Sequence, residues 1–219
     1  MKHTLFLLAI LCLLHTEVQA QKYLDNYHKG NYVKALEQSK KAIDKDKKDM
    51  DAYLVKAMCY MHLGTDTAYK SEYGFGVETA LSSLKYLINK DRNNTYMPAH
   101  AAEQDSILQA GYDKARSYFA QGDDKRCAKV VDRIMDIETT PECLYFKGSI
   151  LIHDGETDDG MDMYNAAAAR IYKEYVKNGV QPDPFLLKTF TAFAMHLGEE
   201  DAWSAAYTIQ SRGESVSLF

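Results

Sequence analysis

The sequence predicts an all-α protein built from antiparallel helix pairs, each stacked on the next. Three observations predict it. Glycines recur at a near-constant interval, each closing one helix-like stretch and opening another: Gly30 to Gly64 is 34 residues and Gly122 to Gly155 is 33. Alternating apolar–polar runs, the mark of half-buried strands, are scarce. Only 4 prolines interrupt the 219 residues. A fixed period of this length marks a repeat architecture, because one helix pair cannot bury its apolar face alone and must be covered by its neighbours.

The chain opens on a different kind of segment. Lys2 and His3 form a short basic end, and Leu5 to Leu14 is an apolar run broken only by Cys12. Val18-Gln19-Ala20 is a small-residue stop. This order is that of a secretory signal cleaved between Ala20 and Gln21. The apolar run is too short for a membrane span, which needs about 20 residues. Residues 1–20 are therefore expected to be a removed leader, and residues 21–219 a soluble, periplasmic or secreted repeat domain. The formal net charge of −5 argues against nucleic acid, whose phosphates select a basic surface.

The pairs follow in order. Tyr23–Gly30 leads into Asn31-Tyr32-Val33-Lys34-Ala35-Leu36, and Tyr53–Gly64 leads, after extra sequence, into Val77-Glu78-Thr79-Ala80-Leu81. Tyr112–Gly122 leads into Asp123 to Ala128, Tyr145–Gly155 into Glu156 to Met161, and Phe185–Gly198 into Glu199 to Trp203. Each of these glycines is expected to take the left-handed conformation that ends a helix. Ala35, Ala80 and Ala128 are expected to let the two helices of a pair approach, with Tyr60 and Tyr118 filling the space between neighbours. The 58 residues from Gly64 to Gly122 hold one period and two insertions, placed at Thr65–Gly76 and Thr95–Ser106. A longer connection, Tyr175–Pro184, precedes the last pair.

The residues at these positions resemble the tetratricopeptide repeat. Asn31 to Leu36 with Lys41-Ala42-Ile43-Asp44-Lys45-Asp46 is similar to that repeat's second helix, and Asp51-Ala52-Tyr53 with Ala57, Tyr60 and Gly64 to the next first helix. Ala80-Leu81, Leu84, Leu87-Ile88 and Asp91 continue the pattern; Gly148, Leu151, Gly155 and Ala167 carry it again. The chain departs from the family where Lys47 and Arg92 replace the usual closing proline and where Cys127 and Trp203 replace small residues. The resemblance implies a right-handed superhelical solenoid of four to five repeats, the first with a short first helix. It also implies that first helices line a concave face holding a peptide or a partner helix. Carried over by repeat position, the partner-binding residues are Leu54, Met58, Met61, Tyr112, Arg116, Phe119, Tyr145, Ser149, Ile152 and Lys188. Arg116 and Lys188 alone do not reproduce the basic clamp with which some members hold a C-terminal carboxylate.

Constellations that suggest chemistry have plainer explanations. His28, His62, His153 and His196 each stand two residues before a repeat glycine. Helices one repeat apart are roughly 16–20 Å from each other, given spacings of about 8–10 Å between packed neighbours. That is too far for one metal ion. Helix C-terminal histidines near the negative end of the dipole account for them. Asp158-Asp159-Gly160-Met161-Asp162 lacks the ligand alternation of a calcium loop and suits the opening of a helix. Cys59, Cys127 and Cys143 outlast leader removal; a Cys127–Cys143 bridge is not expected, because about 16 Å of helical rise separates their ends of the pair. No hydrolase, metalloprotease or phosphate-loop motif occurs, and neither a cofactor nor a metal is expected.

Two segments resemble the Asp–Ser/Thr–apolar O-glycosylation acceptor of some exported bacterial proteins: Asp66-Thr67-Ala68 and Asp105-Ser106-Ile107. Asn93-Asn94-Thr95 is an N-glycosylation sequon, relevant to a eukaryotic secretory route. Together these features lead to the expectation of a non-enzymatic extracytoplasmic scaffold or adaptor in a cell-envelope assembly. Two alternatives stand beside it. One is an envelope enzyme or enzyme subunit acting on glycans through Glu103 and Asp105; the other is a small-ligand binder within the superhelix.

Overall fold

The computed structural model describes residues 22–172. The leader with Ala20 and Gln21, the connection Tyr175–Pro184, Lys188, His196, Gly198 and Trp203 lie outside them. The described chain is helical, with no strand among the described residues: α1 (residues 22–28), α2 (Tyr32–Lys45), α3 (Met50–Thr65), α4 (Lys70–Tyr73), α5 (Gly76–Lys90), α6 (Ala101–Ala120), α7 (Asp124–Met135), α8 (Pro141–His153) and α9 (Thr157–Tyr172). Short 3₁₀ turns at Thr67–Tyr69 and Met97–His100 precede α4 and α6. The chain divides into two compact units within α6, Met1–Ser117 and Tyr118–Phe219. No helix among the described residues is long and apolar enough to cross a membrane.

Local chemistry sets the helix ends. Asp49 caps α3 by accepting from Ala52 N at 2.9 Å, and Asp123 caps α7 by accepting from Arg126 N at 3.1 Å. Thr140 caps α8 with Pro141 in its first turn, where the missing N–H costs nothing. The closing signal is more regular. Gly30, Gly122 and Gly155 have φ of +75°, +68° and +90°. Each makes the same pair of hydrogen bonds: Gly30 N to Tyr27 O with Asn31 N to Asn26 O, Gly122 N to Phe119 O with Asp123 N to Tyr118 O, Gly155 N to Ile152 O with Glu156 N to Leu151 O. This is the Schellman closure, in which a left-handed glycine satisfies the last helical carbonyls and turns the chain into the next helix.

Gly64 does not behave this way, which corrects the expectation for that position. It stays inside α3, and its task is proximity. A Cβ there would lie 2.6 Å from Val77 N and 2.8 Å from Gly76 Cα, while one on Gly76 would lie 2.5 Å from Tyr60 O and 2.7 Å from Gly64 Cα. Helices α3 and α5 thus meet backbone to backbone. The second unit repeats the device. A Cβ on Gly148 of α8 would lie 2.8 Å from Gly160 O of α9, and one on Gly160 would lie 2.6 Å from Ile152 Cγ1. Asp158 and Asp159 sit in the first turn of α9, as the dipole favours.

In the first unit α3 packs on both α2 and α5; in the second α8 packs on both α7 and α9. The outer helices carry a single apolar stripe. In α5 it is Val77, Ala80, Leu81, Leu84 and Leu87, and in α7 it is Cys127, Val130, Val131 and Ile134, all fully buried. Both follow the i, i+3, i+4, i+7 spacing. The sandwiched helices α3 and α8 are instead buried on nearly all sides. Ala35 and Ala80 are fully buried, whereas Ala128 is half-buried and its neighbour Cys127 takes the inward position. Cys59, Cys127 and Cys143 are buried free thiols.

Candidate interaction surface

The sandwiching of α3 and α8 decides where the expected groove residues stand. Leu54, Met58 and Met61 on α3, Tyr112 on α6, and Tyr145 and Ser149 on α8 are all buried. Arg116, Phe119 and Ile152 are half-buried. Arg116 pairs with Asp113 at 3.2 Å and lies 6.0 Å from the Tyr112 ring centre. Phe119 packs against Phe146 and Tyr145, at centroid distances of 5.0 and 5.9 Å. Ser149 Oγ hydrogen-bonds Tyr145 O at 3.0 Å and shares a hydrogen bond with Tyr164 OH of α9. Burial pushes the phenol of Tyr164 well above its ordinary value. The structure thus brings Phe119, Tyr145 and Ser149 together, in packing roles within the second unit. Leu54, Met58 and Met61 share α3, and Tyr112 and Arg116 share α6.

The exposed aromatic rings lie elsewhere. Among the described residues the large apolar side chains that face solvent are Phe75 at 65%, Tyr86 at 46% and Tyr69 at 38% exposure. Tyr69 and Phe75 belong to the excursion between Gly64 and Gly76, whose ends are in backbone contact. Such a loop, closed at its stem and packed by its own side chains, is an Ω-type excursion. Inside it Tyr73 meets Tyr69 edge-on at 6.3 Å and Tyr60 of α3 at 6.4 Å. Lys40 of α2 sits 5.1 Å over the Tyr60 ring. Sequence reasoning located this insertion but assigned its aromatics no part in binding; their density was the available signal.

Tyr86 lies on the outer face of α5 and belongs to a second cluster. Lys90 Nζ stands 4.8 Å from the Tyr53 ring centre and 5.3 Å from that of Tyr86. It also donates to Tyr86 OH at 3.3 Å and to Lys47 O. Tyr86 OH donates to Tyr53 OH at 3.4 Å. Burial pushes the Tyr53 phenol up to about 12. The hydrogen bonds of Tyr86 with Tyr53 and Lys90 hold its own phenol below the ordinary value. The Tyr86/Lys90 spacing of four residues puts both on one helix face, outside the buried stripe.

The histidines keep separate company. His62, in the last turn of α3, stacks on Tyr32 at 4.2 Å with an 8° interplanar angle, and its Nε2 is 3.5 Å from Tyr27 OH. Desolvation lowers its pKa from 6.5. His153, ending α8, places Nδ1 3.0 Å from Asp124 Oδ2. His100 lies 3.8 Å from Glu103. Among the described residues no group of three His, Cys, Asp or Glu side chains could hold a metal ion. Glu103 and Asp105 stand two residues apart near the start of α6.

Two acidic residues anchor the segment ahead of α6. Asp91 accepts backbone N–H groups from Met97, Tyr96 and Thr95 at 2.8, 2.9 and 3.1 Å, and these bonds hold its carboxyl below the ordinary range. Tyr96 OH donates to Asp51 Oδ1 at 2.6 Å, tying the same segment to the start of α3. Tyr23, fully buried, donates from α1 to the cap residue Asp49 at 3.1 Å. No family model and no curated protein matches this chain.

Proposed function

We propose that this protein is an extracytoplasmic interaction module made of tetratricopeptide-like helix pairs, and that it holds a peptide or partner protein without transforming it. The observation that carries the reading is the recurrence of one turn. Gly30, Gly122 and Gly155 end a helix with the same two hydrogen bonds and the same left-handed glycine, and the last two are one period apart. The packing of α3 and α8 between two neighbours each supports the same reading, since stacked pairs bury a continuous core. The right-handed solenoid and the repeats beyond residue 172 belong to this proposal, as does export through the leader.

Within the first unit the rings left for a partner are Tyr69, Phe75 and Tyr86, next to the cations Lys70 and Lys90. Aromatic and cationic side chains of this kind dominate protein contacts. The test is affinity capture of the tagged full chain from its native host, followed by native mass spectrometry. A discrete partner in fixed stoichiometry is expected with the wild type and is expected to be lost with Phe75→Ser/Tyr86→Ala. A stoichiometric complex that survives that substitution moves the binding face elsewhere. A clean monomer without a partner overturns the reading.

A further inference from the structure

We propose that Thr67 is an attachment point for an O-linked glycan, a reading that rests on export of the chain. Three segments carry modification-like patterns, and the structure separates them. Asp66-Thr67-Ala68 lies where α3 has just ended; Asp66 adopts φ −80° and ψ 122°, and residues 65–72 are all exposed. The Asp66 carboxylate accepts from Ala68 N at 2.8 Å, which shapes the turn around the threonine. The helix breaks at Asp66, and Thr67 opens the next turn. Thr65, Thr79 and Ser106 sit within helices, and their hydroxyls donate to Met61 O, Phe75 O and Ala102 O. All three side chains of the Thr67 segment are exposed, and the excursion is closed at its stem by the Gly64–Gly76 contact, so an enzyme can grip it without opening the core.

The other two segments are held differently. Ser106 lies within α6, its hydroxyl donates to Ala102 O at 2.7 Å, and the following Ile107 is fully buried. Gripping Asp105-Ser106-Ile107 therefore requires the start of α6 to unwind. In Asn93-Asn94-Thr95 the Thr95 amide is committed to Asp91, in a turn that this carboxylate organises.

The chemistry is a simple substitution. The Thr67 hydroxyl oxygen attacks the anomeric carbon of a phosphate-activated, lipid-linked sugar held by an envelope glycosyltransferase. The glycosidic C–O bond forms as the bond from that carbon to the donor's phosphate oxygen breaks. The phosphate leaves with the electron pair, and the hydroxyl proton passes to a base of the transferase.

The experiment is intact-mass spectrometry of the full-length chain produced in an exporting bacterium that glycosylates Asp–Ser/Thr–apolar acceptors. The expected mass is that of a chain beginning at Gln21 plus whole sugar residues. Thr67→Ala is expected to remove the increment, Thr67→Ser to retain it and Ser106→Ala to leave it unchanged. A chain beginning at Gln21 with no increment overturns the glycan and leaves export standing. A chain that retains residues 1–20 overturns export, and the glycan with it. An increment lost in Ser106→Ala but kept in Thr67→Ala overturns the assignment of the acceptor.

Discussion

Gly64→Ala adds one methyl group where two helices touch through their backbones. The new Cβ would stand 2.6, 2.8 and 2.9 Å from Val77 N, Gly76 Cα and Gly76 C. Carbon atoms in contact prefer about 3.5–4.0 Å, so α3 and α5 must part by roughly 1 Å. All three obstructing atoms are backbone, and no side chain can swing aside. Overpacking of this kind costs about 1–3 kcal/mol. Against it stands the better helix propensity of alanine, about 1 kcal/mol, because Gly64 is helical here. Parting the helices also thins contacts around Leu63, Val77 and Ala80, all of which are buried to 1% exposure or less. We expect a net loss of about 1 kcal/mol in urea unfolding followed by circular dichroism. Gly30 is the control, with φ +75° and nothing within 4 Å of its would-be Cβ. Gly30→Ala should cost about 1–2 kcal/mol from the left-handed backbone alone, and Gly30→Asn less, because asparagine tolerates that conformation. At Gly64 asparagine should be worse than alanine. A Gly64→Ala protein that is more stable than wild type, by about the propensity gain, would refute backbone contact between α3 and α5.

Three further outcomes are expected. His62 has a folded pKa below its unfolded 6.5, so the unfolded chain binds more protons in that window; stability should hold above pH 6.5 and fall as the pH drops through the folded value. The slope of unfolding free energy against pH should flatten in His62→Asn. Asp91 is likewise depressed from 3.8, so its support is present above that value and lost as the pH falls through the lower folded one. Asp91→Ala leaves three N–H groups without their acceptor, and hydrogen exchange should quicken at Thr95, Tyr96 and Met97 while the α7–α9 amides keep their protection. Cys59, Cys127 and Cys143 are fully buried, and burial pushes Cys59 and Cys127 up to about 12. Alkylation should therefore be slow in the native protein. Unreduced, denatured protein should titrate three thiols, or four with Cys12 if the leader is retained; one or two would reveal a disulfide.

The helix pairs were legible because their signals are local. A glycine at the left-handed end of a helix acts through its own φ, and the stripe Cys127–Val130–Val131–Ile134 acts through the pitch of one helix. Amino-acid order alone therefore determined the helical class of the described residues, the turns at Gly30, Gly122 and Gly155, the acidic opening of α9 and the helix-end places of His28, His62 and His153. Its failures came where the deciding partner is distant in the chain. Gly64 has the same sequence context as the turn glycines, yet Gly76 of the next major helix holds it helical and in contact. Tyr145 and Ser149 match a groove-facing pattern, and both are buried in the second unit, where α7 and α9 pack on α8. The bonds Tyr96–Asp51 and Tyr23–Asp49 join residues 45 and 26 positions apart, and no local pattern announces them. Periodicity shows which residues must be covered. Only the tertiary structure decided what covers them, because burial of a helix face depends on how many neighbours pack against it.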